Sequence, residues 1–176
     1  PKVSWSSDKP LNFKPKISTF FFLCLGLTLF GLGEGLLIVS ASGASPWSVL
    51  AQGISLNIDF SIGTITLFLS IGVLFFWIPL NQKLGIGTIL NAIIIALMID
   101  ICIRFVPTPV NNISQLVLGV ISVLTVGLGG GIYLIANLGA GPRDGLMVGL
   151  QKKTNLPIAA VRGFLEITVV SIGWYL

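Results

Sequence analysis

The chain has 176 residues, of which 54% are hydrophobic and 9% are charged, whereas a soluble domain covers its surface with about 25% charged residues. It contains no histidine, so triads built on His, His-ligated zinc and His-ligated haem are excluded, and no catalytic, metal or cofactor site is expected. Its 10 basic and 6 acidic residues leave a net charge of +4, but the basic residues stand between apolar runs rather than on one face, so they report topology and not nucleic-acid binding.

Residues 1–16 are polar, interrupted by proline, and carry Lys2, Lys9, Lys14 and Lys16 against Asp8 alone. They read as a cytoplasmic tail. Five apolar runs follow at Ile17–Val39, Ile62–Leu80, Ile86–Val106, Ile113–Ala136 and Pro157–Leu176. Each is close to the roughly 20 residues that cross about 30 Å of hydrocarbon as a helix. Continuous runs such as ILNAIIIALMIDICI do not alternate as membrane strands do. Cys24 and Cys102 fall inside these runs, where free cysteine is a small buried hydrophobe. With the N-terminus inside, Lys2, Lys9, Lys14, Lys16, Lys83, Arg143, Lys152, Lys153 and Arg162 are internal and only Arg104 is external. The excess of basic residues on the cytoplasmic side fixes that orientation, in the cell (inner or plasma) membrane.

Shifting the chain by 96 positions aligns GLGEGLLIVSASGASPWSVLAQG, from Gly31, with GLGGGIYLIANLGAGPRDGLMVG, from Gly127, and continues without a gap to Leu80 against Leu176. Fifteen of the 50 aligned positions are identical, among them Gly43, Ala44, Pro46, Leu50 and Gly53. The first copy holds three spans, an odd number, so the second starts on the other side of the membrane. The expected fold is an all-α polytopic membrane protein made of two inverted-topology repeats of three spans each, residues 17–112 and 113–176. The chain lacks an initiator Met and stops at the equivalent of Leu80. It is therefore expected to be trimmed, with a sixth span at about 181–201, the shifted image of Gly85 to Phe105.

The block GLGGGIYLIANLGAGPRDGLMVGL and its sister GLGEGLLIVSASGASPWSVLAQGI resemble the YczE-like bacterial membrane proteins and, more distantly, the YitT-like family. Their mark is a glycine-rich span running into A-x-L-G-x-x-P-x-D-x-L. Arg143 stands where such proteins often carry Trp, and the first copy has Ser42 and Ser48 where Leu and Asp are usual. The resemblance implies six spans and a transporter-like protein, without naming a substrate.

In SGASPW and LGAGPRD, Pro46 and Pro142 suit the first turn of a helix, with Ser45 or a glycine as N-cap. Each starts a helix of about 10 to 12 residues, too short to cross a bilayer at 1.5 Å per residue. Such a helix either lies at the interface, anchored in the first copy by Trp47, or dips into the membrane. In the second case the two N-termini can converge, with Gly43, Ala44, Ser45, Gly139, Ala140 and Gly141 lining a pocket and Arg143 and Asp144 beside it. Glu34 is the one charge of the first span and has no local partner, which makes it the leading protonatable candidate. Asp100 and Arg104, like Arg162 and Glu166, are four apart and can neutralise each other. The pairs Gly31/Gly35 and Gly127/Gly131 suit close helix packing, and Gly129 to Gly131 should weaken their helix locally.

These features favour a small secondary transporter that takes an anionic or zwitterionic small molecule between the two motif loops. The alternative is a non-transporting membrane scaffold or accessory protein. The lipid bilayer is the one certain partner, and oligomeric state is not encoded in any motif.

Overall fold

The computed structural model describes residues 3–176 as seven α-helices: α1 (Ile17–Val39), α2 (Pro46–Asn57), α3 (Ile62–Trp77), α4 (Ile86–Phe105), α5 (Asn112–Ala136), α6 (Pro142–Thr154) and α7 (Ile158–Tyr175). By length and composition α1, α4, α5 and α7 can each cross a membrane, and α2 with α3 form a fifth candidate span, bent by 116° at a short break. The 16 residues of α3 fall short of a full span alone. This is therefore a multi-pass membrane protein in contact with lipid, and its outward faces carry Phe21, Phe68, Phe75, Phe76 and Leu124.

The apolar runs end close to where the sequence places them. The second span closes earlier than Leu80, at Trp77, because the chain turns through a left-handed Asn81 at φ 51° and the Gln82 amide returns to the Trp77 carbonyl at 3.1 Å. The glycines from Gly129 to Gly131 do not interrupt α5, which runs unbroken for 25 residues.

Glycine does set the main helix contact. A Cβ on Gly26 would stand 2.6 Å from the Tyr133 amide and 2.9 Å from the Gly129 carbonyl, and one on Gly33 2.7 Å from the Val126 amide. From the other side, a Cβ on Gly129 would meet the Phe30 amide at 2.4 Å and the Gly26 carbonyl at 2.6 Å. Thus α1 and α5 cross with backbone against backbone, the approach that small residues permit in lipid. Gly31 and Gly35 let α4 approach α1 on another face, at Ile95, Met98 and Cys102, whereas Gly127 and Gly131 have no heavy atom within 4 Å.

The N-terminal segment is more than a loose tail. Trp5 stacks on Phe22 with ring centroids 4.4 Å apart, and Thr19 donates to the Trp5 carbonyl at 2.6 Å. The Ser7 amide reaches the Ala136 carbonyl at 3.1 Å, while left-handed Asn137 donates back to the Ser7 carbonyl at 2.8 Å. The segment thereby caps the C-terminus of α5, where carbonyls lack helical partners.

Two expected charge pairs part ways. Arg162 and Glu166 bond at 2.7 Å on an exposed face of α7. Asp100 instead caps α3, accepting from the Gly63 amide at 2.8 Å and from Ser61 Oγ at 2.6 Å, while Arg104 lies 5.7 Å from the Phe105 ring centre. A carboxylate at a helix N-terminus satisfies orphan amides and meets the positive end of the dipole, which outweighs a neighbour one turn away.

Candidate functional site

Both short helices begin as their sequences dictate. Ser45 is the N-cap of α2 and its Oγ accepts the Ser48 amide; Gly141 is the N-cap of α6; proline occupies the first helical turn of each. The loops before them turn back toward the core, and the first turns of α2 and α6 come within side-chain reach of each other. The contact is Arg143 of α6, whose guanidinium carbon lies 5.1 Å from the centre of the Trp47 ring of α2, within the range of a cation–π attraction. Trp47 is therefore no interfacial anchor: it is 7% exposed, held under Arg143. Its indole N–H is buried and finds no acceptor among the described residues.

Glu34, expected to lack a local partner, has two. Its Oε2 accepts hydrogen bonds from Ser45 Oγ and Ser48 Oγ, both at 2.8 Å. The carboxylate is buried, and two hydroxyl donors replace part of the hydration that burial removes. On the other side, Tyr133 donates from its hydroxyl to Asp144 Oδ2. Glu34 and Asp144 act on the Arg143 guanidinium from beyond ion-pairing distance, since neither makes a salt bridge to it within 4 Å. With both ionised, these three groups carry a net charge of −1.

The second motif loop is held firmly. Gly87 donates its amide to the Leu138 carbonyl at 2.8 Å, Thr88 Oγ1 donates to the Ala140 carbonyl at 2.7 Å, and Trp77 Nε1 donates to the Pro142 carbonyl at 2.9 Å. Gly139, at φ 116°, packs on Gly85 and Thr88, and Gly141 leaves room only for Asn91 and Asp144. The first loop is more open: Gly43 has no neighbour within 4 Å of its Cβ position, and Ala44 is half-buried.

Of the residues singled out in the sequence, Glu34, Ser45, Arg143 and Asp144 are brought together. Ala44, Ala140 and Gly141 belong to the loops that carry them, whereas Gly43 is exposed and Gly139 serves the packing of α4. Sequence reasoning missed Ser48, Tyr133 and Trp47 as members. Tyr133 carried a signal, being the one tyrosine within a span's interior. No group of three or more acidic or cysteine side chains that could hold a metal ion occurs among the described residues.

A multi-pass helical membrane protein that carries two short helices, joined at their first turns by an arginine–tryptophan contact, is the class that fold and geometry define. The chain belongs to the family described as "Family of unknown function (DUF6198)", whose model matches residues 17–176. It is 39% identical over its whole length to an uncharacterised protein of Haemophilus influenzae, covering 80% of that relative. It is 28% identical over 158 residues to the membrane protein YczE of Bacillus subtilis, with 89% of this chain and 73% of the relative covered. It is also 28% identical over 144 residues to YyaS of the same organism, covering 78% of this chain and 72% of that one. The YczE-like membership read from the glycine-rich motifs thus holds. No solved structure matches.

Proposed function

We propose that this protein is a secondary transporter of the cell membrane, built as an inverted repeat and taking a small zwitterionic molecule where α2 and α6 meet, without catalysing a reaction. The observation that carries this reading is the Trp47–Arg143 contact. Those two residues are equivalent under the 96-residue shift, so a two-fold axis in the membrane plane would pass between them. Other contacts support the same axis. Gly26 against Gly129 becomes Ser122 against Gly33 under the shift, and both approaches occur. Leu50 and Gly53 of α2 pack on Gly173 of α7, as Gly145 of α6 packs on Trp77 of α3, the position equivalent to Gly173.

The chemistry supports a zwitterion over a simple anion. Arg143 already has two carboxylates acting on it, so a lone anion would add a second excess negative charge. A molecule with an ammonium turned to Glu34 and a carboxylate turned to Arg143 adds none. Its carboxylate would also supply the acceptor that the buried Trp47 N–H lacks, a deficit of about 1–3 kcal/mol for a buried donor. α-Amino acids have this form.

Uptake of a radiolabelled amino-acid mixture into proteoliposomes tests the function. Glu34→Gln keeps shape and hydrogen-bonding capacity but not charge, and is expected to cut uptake by about tenfold and flatten its pH dependence, as loss of one charge-assisted contact would. A parent protein that gives neither uptake nor thermal stabilisation with any amino acid, yet co-purifies with a stable partner, would favour an accessory role.

The orientation has its own test. With Cys24 and Cys102 replaced by alanine, Asp59→Cys and Asn111→Cys are expected to react with an impermeant maleimide on intact cells, and Lys83→Cys and Lys152→Cys only after lysis. All four positions are exposed. Labelling of 59 and 152 alike would end the inverted-repeat reading.

A further inference from the structure

A second feature lies apart from the charged cluster. Helices α2, α3, α6 and α7 together line an open cleft of about 930 Å³, at the upper end of the range for small-molecule sites. Its lining is apolar, with Phe68, Val73, Phe76, Leu146 and Ile172 among it, and the one charged side chain is that of Lys153. Lys153 is exposed and sits in the last turn of α6. Trp47, with Arg143 above its ring, lines the cleft partway along, and beyond it the lining continues through Ile54, Ile58 and Ile65.

The cleft is long enough to take a lipid chain from the Lys153 end. Lys153 lies ten residues beyond Arg143 on α6, which at 1.5 Å per residue is about 15 Å. Half of a hydrocarbon core about 30 Å thick is the same length. A chain entering beside Lys153 would therefore reach the level of Trp47 after crossing about one leaflet, with apolar lining at Ile54 and Ile58 still ahead of it. A second copy of this protein is a poorer occupant, because an apolar helix laid in the cleft would bury the Lys153 ammonium without a counter-charge. An anionic headgroup supplies that charge.

We propose that the cleft is a binding site for an anionic membrane lipid, with the acyl chain between α3 and α7 and the phosphate at Lys153. Basic residues near a surface favour anionic over neutral lipid by about fivefold each. The preference here is assigned to Lys153 alone, since its neighbour Lys152 lies outside the lining.

Purified protein in a neutral detergent, given equal amounts of dioleoyl phosphatidylglycerol and dioleoyl phosphatidylcholine, is expected to retain the anionic lipid about fivefold over the neutral one by native mass spectrometry. Lys153→Ala should bring that ratio to near one, while Lys152→Ala should leave it unchanged. Gly72 lines the cleft with nothing within 4 Å of its Cβ position, so Gly72→Leu should fold normally yet lower retention of both lipids. Equal loss of preference in the two lysine variants would reduce the effect to general surface charge and overturn the site. So would unaltered retention in Gly72→Leu, or a stable dimer whose cross-links run through Phe68 and Phe76. Failure here leaves amino-acid uptake untouched, because no residue of the Glu34 cluster is changed.

Discussion

Gly129→Ala is expected to prevent this protein from being recovered folded, whereas Gly130→Ala one residue along should leave its unfolding temperature unchanged or raised. The added methyl at 129 would stand 2.4 Å from the Phe30 amide and 2.6 Å from the Gly26 carbonyl, both backbone atoms. No rotamer change can make room, so α1 and α5 must separate. Overpacking of a yielding core costs about 1–3 kcal/mol, and a backbone contact that cannot yield costs more. At 130 the nearest atoms are ring carbons of Phe30 at 3.5 Å, an ordinary contact, and alanine is the better helix former by about 1 kcal/mol. Detergent-solubilised protein from both variants, compared by size-exclusion chromatography and thermal unfolding, checks this. Equal behaviour of the two would mean that the helices do not meet as described.

The second large effect concerns Arg143. Arg143→Met keeps an unbranched side chain, shorter by two atoms, and removes the charge, leaving Glu34 and Asp144 as like charges without that cation. We expect a marked loss of stability, partly restored when Glu34→Gln is added. The coupling should reach about 1 kcal/mol or more, as for residues sharing one network. Arg143→Lys should fall between parent and Arg143→Met, since lysine keeps the charge but cannot lay a planar guanidinium on Trp47. The order of unfolding temperatures reads the result directly. If Arg143→Met and the double variant unfold together, the carboxylates do not feel that cation.

The spans were legible because lipid imposes a coarse requirement: a long apolar run satisfies it almost regardless of which apolar residues it contains. The starts of α2 and α6 were legible for a different reason, proline in the first turn, which acts locally and needs no partner. What could not be read were side-chain meetings across the fold. Asp100 looked like the partner of Arg104 because helical spacing is visible in sequence, while the amide of Gly63, 37 residues away, is not. Glu34 looked alone because Ser45 and Ser48 reach it only after the loop turns back. Ser48 stood where the second copy has Asp144, so the equivalent position supplies a hydroxyl to one carboxylate in the first half and is itself the carboxylate in the second. That asymmetry lies within a single aligned column, and only the folded chain reveals that Ser48 serves Glu34 while Asp144 takes the Tyr133 hydroxyl.

The crossing of α1 and α5 carries a mechanical consequence. Helices joined by interlocking side chains can slip by a notch when rotamers change, but Gly26, Gly33 and Gly129 offer no knobs to disengage. What such a crossing permits is rotation about the point of closest approach, as at the pin of a pair of shears, with α4, packed on Gly31 and Gly35, carried along with α1. Val39 lies about ten residues, or some 15 Å, from that point. A turn of roughly 10° would carry it through about 3 Å, and with it the loop that brings Ser45 to Glu34, while the pin itself stays still.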